Sequence, residues 1–294
     1  TRDRQEDKPV ILQQAGQDMT ADSKTEEGVE AVGTLVAKRT IVERVELSSD
    51  MTLVLFKTSK TVRNVPLLIS FCDVGITPML VASHYVDQLG LPLIGALFSK
   101  EMGPSATVKA GQPGPAIQIY GNEKMALVMS EAKIKDTLVS SAIVAAIMKV
   151  AARLESKIIY SAEGVPVEKI GDIERKQLNF LTTSEEVFDR MSSLEHKALN
   201  SAVIAGVTGG VLAECTMSDP ACPSPDICVV LAPTSSMFPD ALSSVVIIKL
   251  LDSMWGGIAS DVTKLEQGAL ELEQKVKDMY EPAKAADSFM SLYG

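Results

Sequence analysis

Histidine, cysteine and aromatic residues are scarce in this 294-residue chain. It contains two His, four Cys and one Trp, and Phe, Trp and Tyr together make up 4% of the residues. The core therefore has to be built from Val, Ile, Leu, Ala and Met. Neither histidine lies in a nucleophile or metal-binding motif. We expect packing or surface roles for His84, on a predicted helix, and for His196, in a polar helical stretch.

Basic clusters and membrane-length apolar runs are also missing. The chain has 28 Lys and Arg against 38 Asp and Glu, with a net charge of -10 and a pI of about 4.9. Nucleic acid and anionic membranes bind clustered Lys and Arg, so this composition argues against both partners. The longest apolar run, Leu138–Val150, is interrupted by Ser140, Ser141 and Lys149, and it does not reach the length of a membrane span.

Residues 1–36 form an acidic segment that is predicted to be a weakly ordered tail. In residues 1–30, four Lys and Arg face eight Asp and Glu, and the scattered apolar side chains bury too little to offset the entropy of ordering. The alternative is a segment that docks on a neighbouring subunit. The first residues are polar and do not resemble a secretion signal, so we expect reduced cysteines and a cytoplasmic protein.

Residues 37–260 are predicted to form one α/β domain, because short apolar segments alternate with helical patterns. Val65–Cys72 is almost continuously apolar, which is typical of a buried parallel strand, and Ile227–Ala232 is predicted to be the last strand. Helices are predicted at Thr77–Leu89, Asp136–Leu154 and Pro239–Met254. This alternation predicts a three-layer α/β/α sandwich around a mixed sheet.

A glycine-rich stretch, Gly206–Gly210, could hold a phosphate on its backbone N–H groups. It lacks the lysine of a P-loop and the spacing of a dinucleotide-binding motif. We therefore interpret it as a tight turn that leads into a helix. A short strand over residues 202–206 is the alternative for the start of this stretch.

Three cysteines, Cys215, Cys222 and Cys228, lie close together in the sequence. A zinc site would need a fourth ligand and tighter pairing of the cysteines, so we predict no metal or other cofactor. Cys228 falls in a predicted strand and is expected to be buried as a small apolar group. Cys215 and Cys222 could close a small loop, although a reducing compartment disfavours a disulfide.

A heptad pattern marks residues 261–281. Asp261 can cap a helix in which apolar residues recur at spacings of four, three, four and three: Leu265, Ala269, Leu272, Val276 and Met279. We predict that Leu265, Leu272, Val276 and Met279 mediate oligomerisation, and the alternative is an amphipathic helix packed on its own domain. Pro282 ends the helix, and residues 282–294 are predicted to form a flexible tail.

The tail ends in a hydrophobic residue, a tyrosine and a final glycine: Leu292, Tyr293 and Gly294. A terminal plug of this kind on a loose segment suits insertion into a pocket of a partner, and a catalyst has no need of it.

Residues upstream resemble a known family. Gly206–Glu214, Leu231–Asp240 and the apolar helix containing Leu250-Leu251-Asp252 are similar to the proteasome assembly chaperone family in its archaeal branch, and the similarity covers roughly Val65–Tyr280. Residues 1–36 have no counterpart in that family, and Cys215–Pro225 resembles an enlarged loop.

The resemblance implies a fold related to nucleoside phosphorylases, no enzymatic activity, homo-oligomers and binding to the α-ring of the proteasome core. In the family, a C-terminal hydrophobic-Tyr-any motif inserts between adjacent α-subunits, and Leu292, Tyr293 and Gly294 match it. The resulting hypothesis is an ATP-independent factor that binds the proteasome core as an assembly chaperone or gate-opening activator. The alternatives are a nucleoside hydrolase- or phosphorylase-like enzyme on the same fold and an oligomeric scaffold.

Overall fold

The computed structural model describes residues 38–48, 50–71, 76–102, 105–109, 112–132, 134, 137–167, 177–217, 223–235, 240–256, 258 and 260–270. The chain divides into two units, Thr1–Leu35 and Val36–Gly294, and all described residues belong to the second. The predicted N-terminal tail, the C-terminal tail and most of the heptad helix lie outside the described residues.

Within the described residues, ten strands form one mixed sheet. Across the sheet they are β1 (Ile41–Glu46), β2 (Met51–Phe56), β4 (Leu93–Ser99), β7 (Ile117–Gly121), β8 (Ala126–Ser130), β3 (Leu67–Phe71), β9 (Ile158–Val167), β12 (Asp226–Ser235), β10 (Asn179–Thr182) and β11 (Lys197–Ala198). A separate hairpin is formed by β5 (Ala106–Lys109) and β6 (Gln112–Pro115).

The centre of the sheet is parallel and its flanks are largely antiparallel. Strands β8, β3, β9 and β12 pair in parallel, whereas β1, β2, β4 and β7 pair antiparallel on one side. On the other side, β10 is antiparallel to β12. The parallel strands include β3, which was predicted as parallel from its apolar run, and β12, which was predicted as a strand. The reason is burial on both faces, which leaves no position for a solvent-facing polar side chain.

In the described part of the chain, five α-helices before residue 260 cover both faces of the sheet. They are α1 (Thr77–Gln88), α2 (Thr137–Arg153), α3 (Glu185–Ser193), α4 (Gly206–Cys215) and α5 (Ala241–Trp255). One buried cluster joins α2 and α4 to the sheet, and a second joins α1, α3 and α5 to the opposite face. Neighbouring residues of one strand, such as Ile159 and Tyr160, belong to different clusters because strand side chains alternate. The predicted α/β/α sandwich is confirmed.

Local capping chemistry sets several helix boundaries. Pro78 lies in the first turn of α1, where its missing N–H group costs nothing. The Asp240 carboxylate accepts a hydrogen bond from the Ser243 amide at 3.0 Å, so α5 begins after Asp240 rather than at Pro239. The Ser184 hydroxyl accepts a bond from the Val187 amide at 3.4 Å in the same way at α3.

Three local features differ from what the sequence predicts or offers as an alternative. The alternative of a strand near residues 202–205 is not found; these residues lead into α4 outside any helix or strand. His196 is not helical, because α3 ends at Ser193 and the next residues lead into β11. The β5–β6 hairpin was not predicted, since β6 contains Pro113 and Pro115, which usually argue against a strand. None of the described helices combines the length and apolar character that a bilayer crossing requires.

Candidate functional site

A cavity of about 520 Å³ lies at the carboxyl end of β9. Pairing between β3 and β9 runs from Leu67 opposite Ile159 to Ile69 opposite Ser161, whereas β12 remains paired with β9 as far as Val167. Strand β9 is thus paired with β12 over a longer stretch than with β3. A crevice opens beyond Ser161 on the β3 side. In open α/β sheets, crevices at the carboxyl ends of strands are the usual ligand sites.

Apolar side chains form most of the cavity wall. Strands β3, β9 and β12, the loops at residues 134 and 199, the approach to α4 and α4 itself contribute them: Phe71, Ile134, Val165, Leu199, Val203, Ile204, Val207 and Leu231. At the mouth, Val203 is 95% exposed and Val165 is 38% exposed.

Three oxygen atoms converge on the wall that β9 and α4 share. Ser161 Oγ lies 2.8 Å from Glu163 Oε1 and 2.9 Å from Thr208 Oγ1, and the Thr208 hydroxyl also donates to Glu163 Oε1. Ser161 and Thr208 are buried. Ser161 and Glu163 share one face of β9 because strand side chains alternate, and Thr208 meets them from the first turn of α4. This arrangement fixes the orientation of the carboxylate that lines the cavity.

The start of α4 allows this close approach. Gly206 has φ +69°, a left-handed conformation that glycine adopts without steric cost, and it is the first residue of the helix. A Cβ atom on Gly209 would lie 2.1 Å from the Ile204 carbonyl oxygen, and one on Gly210 would lie 2.5 Å from Val144 Cγ2 of α2. The prediction of a turn into a helix is confirmed, and the later glycines serve helix packing.

The described part of the cavity lining contains one acidic side chain. Glu163 carries the one formal charge among the described lining residues, and no Lys, Arg or His is among them. The N-terminus of α4 contributes a partial positive charge close to this carboxylate.

The two described cysteines, Cys215 and Cys228, are buried and free. Burial raises the pKa of each thiol to about 12, so both stay protonated at neutral pH. The prediction that Cys228 is buried in a strand is confirmed. Cys222 lies outside the described residues. No group of three His, Cys, Asp or Glu in the described part of the chain has the arrangement of a metal site.

Both histidines lie away from the cavity. His84 is on α1 as predicted, and burial lowers its pKa below the ordinary 6.5 although three carboxylates, including Asp252 and Asp261, act in the opposite direction. Burial also lowers the pKa of His196. The neutral imidazole is therefore favoured in both, which suits packing roles.

The first turns of the heptad helix pack on their own domain. Asp261 accepts a hydrogen bond from the Thr263 amide at 2.9 Å, and residues 263–270 are helical. Leu265 is half-buried against the cluster that contains α1 and α5, and Ala269 is buried. Lys249 of α5 forms an ion pair with Glu266 at 3.1 Å.

A hydrogen-bonded junction precedes this helix. The Asp252 carboxylate accepts one bond from the Tyr85 hydroxyl at 2.9 Å and two from Ser260, from its amide at 3.0 Å and its hydroxyl at 2.7 Å. Burial and the neighbouring Asp252 raise the pKa of Tyr85, so its hydroxyl remains a donor. The junction ties α1, α5 and the start of the C-terminal helix together.

The remaining predicted site residues lie outside the described residues. They are the oligomerisation residues Leu272, Val276 and Met279 and the tail residues Leu292, Tyr293 and Gly294. Ser161 and Glu163 were not singled out from the sequence. The available signal was a pair of polar residues two positions apart at the end of an otherwise apolar strand.

Comparison with known proteins identifies the fold. A crystal structure of Pyrococcus furiosus PbaA, an archaeal homolog of proteasome-assembly chaperone, has a TM-score of 0.69 at 21% identity and covers 82% of this chain and 96% of its own. Pyrococcus furiosus PbaB, an archaeal proteasome activator, has a TM-score of 0.65 at 14% identity over 79% of this chain and 100% of its own. At these identities the similarity shows a shared fold.

A protein of unknown function from Thermoplasma acidophilum has the same fold, with a TM-score of 0.61 at 23% identity over 79% of this chain and 92% of its own. No curated protein matches the chain. The PAC2 family matches residues 67–280, which is most of the chain and includes the parallel strands and the cavity. This chain belongs to the PAC2 family.

Proposed function

We propose that this PAC2 family protein is an ATP-independent factor that binds the proteasome core, as an assembly chaperone or as a gate-opening activator. The family match over residues 67–280 is the observation that carries the proposal. Two proteins that share the fold are described as a homolog of proteasome-assembly chaperone and as a proteasome activator, which supports the same partner. We expect the protein to be cytoplasmic and to act without catalysis of its own.

The binding element in this proposal is the C-terminal triplet. The carboxylate of Gly294 would form a charge-assisted contact with a basic group in a pocket between proteasome α-subunits. Tyr293 would bury its ring while its hydroxyl finds a polar partner, and Leu292 would fill the apolar rim of the pocket. A single tail of three residues offers little contact area, so its affinity would be low.

Several tails on one homo-oligomer would overcome this weakness. When one tail is bound, the others are held at high effective concentration near the remaining pockets, which raises the overall affinity by about 10²–10⁴ if the spacing fits. We propose that the heptad residues Leu265, Leu272, Val276 and Met279 support this oligomer. The half-buried Leu265 would then contact its own domain and a neighbouring subunit along different sides of its side chain.

Deletion of Leu292–Gly294 tests the proposal. Full-length and truncated proteins are mixed with purified proteasome cores, and co-sedimentation and hydrolysis of a fluorogenic peptide are measured. We expect the truncation to abolish both co-sedimentation and any stimulation, while Gly294→Ala, which keeps a hydrophobic residue, Tyr and a free carboxylate, binds normally. Unchanged binding by the truncated protein would contradict the tail mechanism. Loss of oligomers in the truncated protein would instead favour a scaffold whose tail serves self-assembly.

The cavity favours one second candidate, a nucleoside hydrolase-like enzyme. Its volume suits a nucleoside, and Glu163 could accept a proton from an attacking water molecule. Phosphorolysis is less well supported, because the described lining residues include no Lys, Arg or His to hold a phosphate. Release of free base from purine and pyrimidine nucleosides, measured with wild-type protein and with Glu163→Gln, tests the candidate. Release that depends on Glu163 would establish it, and no release would leave the binding proposal as the account of this chain.

A further inference from the structure

The cavity beside β9 has a floor formed by one row of side chains that crosses three strands. In the sheet register, Leu231 of β12 lies opposite Glu163 of β9 on one side and opposite Asn179 of β10 on the other. Residues that lie opposite each other in neighbouring strands project from the same face of the sheet, and all three line the cavity. The floor therefore presents a carboxamide, an apolar side chain and a carboxylate in this order.

This row sets the size of a ligand that would fit the cavity. Neighbouring strands are about 4.8 Å apart, so Asn179 and Glu163, two strands apart, are separated by about 10 Å. The cavity volume of about 520 Å³ is within the range of about 300–1,000 Å³ that is usual for small-molecule pockets. A ligand of this length with an apolar body would cover Leu231 and the apolar walls and remove them from water, which is favourable in proportion to the covered area.

The Asn179 carboxamide is the polar group at one end of the row. Its backbone pairs with β12 and β11, and among the described residues none forms a hydrogen bond with its side chain. A carboxamide offers an oxygen that accepts and an NH₂ group that donates, but no formal charge. It cannot offset the cost of taking an ion out of water, whereas the amide of a ligand can pair with it through two hydrogen bonds.

The opposite end of the row is held by contacts within the protein. The hydroxyls of Ser161 and Thr208 both contact Glu163 Oε1. The recognition of a ligand is therefore assigned to Asn179, and it does not depend on the charge of Glu163.

We propose that this cavity binds a small uncharged molecule that has an elongated apolar body and a primary or cyclic amide at one end. The amide forms two hydrogen bonds with the Asn179 carboxamide. The apolar body lies over Leu231 and against Ile204 and Val207, at the start of α4. This site is separate from the proposed function, because proteasome binding through a C-terminal tail does not use the cavity.

Two probes of similar shape, cinnamamide and methyl cinnamate, separate hydrogen bonding from shape. Both have a flat apolar body, but the ester has no N–H group to donate. Their binding to the full-length protein is titrated by ligand-observed NMR. We expect the amide to bind about fivefold more tightly than the ester, which is the effect expected for one additional neutral hydrogen bond. Equal binding of the two probes, tighter binding of the ester, or binding of neither would overturn the proposal.

A substitution tests the assignment of Asn179. Asn179→Leu keeps the approximate shape of the side chain and removes both hydrogen-bonding groups, so cinnamamide should lose about tenfold in affinity and its preference over the ester should disappear. Asn200→Leu is the matched control, because Asn200 is exposed and is not among the cavity-lining residues, and it should keep the preference. A preference for the amide that is unchanged in Asn179→Leu would contradict the assignment.

A second variant covers the case in which Asn179→Leu does not fold. Ala202 lines the cavity and is exposed, so Ala202→Trp is expected to fold normally and to narrow the cavity. Both probes should then lose binding, because the apolar body no longer fits. Unchanged binding of both probes to Ala202→Trp would place them elsewhere on the protein and would overturn the proposal.

Discussion

At the scale of single residues, the close approach of α4 to α2 depends on glycine. Gly210 faces α2, and a Cβ atom there would lie 2.5 Å from Val144 Cγ2. Such a close contact between carbon atoms is essentially never seen, so either the Val144 side chain or the two helices would have to shift. Because α4 also carries Thr208, such a movement would disturb the contact between Thr208 and Glu163.

Gly210→Ala is therefore expected to lower the free energy of unfolding by about 1–3 kcal/mol, as overpacking usually does. Gly268→Ala is the matched control, because Gly268 is also helical and a Cβ atom there meets nothing within 4 Å. It should leave stability unchanged or raise it by up to about 1 kcal/mol. Chemical denaturation measures the free energy of unfolding of both variants. Partial rescue of Gly210→Ala by Val144→Ala would confirm the cause, and equal stability of the two glycine variants would refute it.

The buried thiols make a second prediction at this scale. Burial raises the pKa of Cys215 and Cys228 to about 12, and the thiolate is the reactive form. Native protein treated with iodoacetamide at pH 8 should therefore remain unmodified at both positions, while urea-unfolded protein is alkylated at both. Peptide mass spectrometry gives the readout for each position. Rapid alkylation of native Cys228 would show that the strand opens more readily than its burial implies.

At the scale of elements, the hydrogen bonds of Asp252 hold the start of the C-terminal helix to α1 and α5. Removal of the carboxylate leaves two donors of Ser260 without their acceptor, while the Tyr85 hydroxyl keeps its longer bond to the Ile248 carbonyl at 3.3 Å. The cost of losing such bonds in a partly buried site is about 1–3 kcal/mol. Asp252→Ala should therefore accelerate amide hydrogen exchange in residues 260–270, whereas Ser253→Ala on the same helix should not. Equal protection in the two variants would contradict the role of Asp252.

The two histidines make the stability of the protein depend on pH. His84 lies on α1, and His196 directly precedes β11. Because burial lowers the pKa of His84 and His196 in the folded state, the unfolded chain takes up protons first as the pH falls. The stability that depends on these two neutral histidines is thus fully present above pH 6.5. It decreases as the pH falls through their lower pKa values in the folded state.

The double variant His84→Gln/His196→Gln should show a smaller loss of stability than wild type between pH 7 and 5. The loss of stability of each single variant should lie between that of wild type and that of the double variant. Urea midpoints measured at several pH values give this comparison. A decrease of the same size in wild type and the double variant would mean that other groups cause it.

The strands at the centre of the sheet were predictable from the sequence, and the site was not. β3 and β12 have apolar runs that follow directly from burial on both faces. Strand β6 was not predicted, because prolines in an edge strand resemble loop residues in the sequence. Glu163 was missed because an acidic residue near a strand end usually faces water. Its partner Thr208 lies 45 positions later, and their contact depends on how α4 packs.

At the scale of the whole molecule, the proposed function depends on the number of tails. Replacing Leu272 and Val276 with Asp places charges in the predicted heptad seam, which should dissociate the proposed oligomer. The replacement should also weaken proteasome binding by at least tenfold although Leu292, Tyr293 and Gly294 are intact. Light scattering after size-exclusion chromatography reports the oligomer, and Glu271→Gln is a control on the same segment. An unchanged oligomer would show that another surface assembles it.

The most direct test of the account is the affinity of the full-length protein for purified proteasome cores before and after Tyr293→Ala. Tyr293 supplies the largest apolar contact of the proposed plug, and its loss is repeated in every subunit of the oligomer. The account predicts that Tyr293→Ala reduces binding at least tenfold, while Gly294→Ala stays within twofold of wild type. Equal affinity of wild type and Tyr293→Ala would contradict the claim that this protein binds the proteasome through its C-terminal tails.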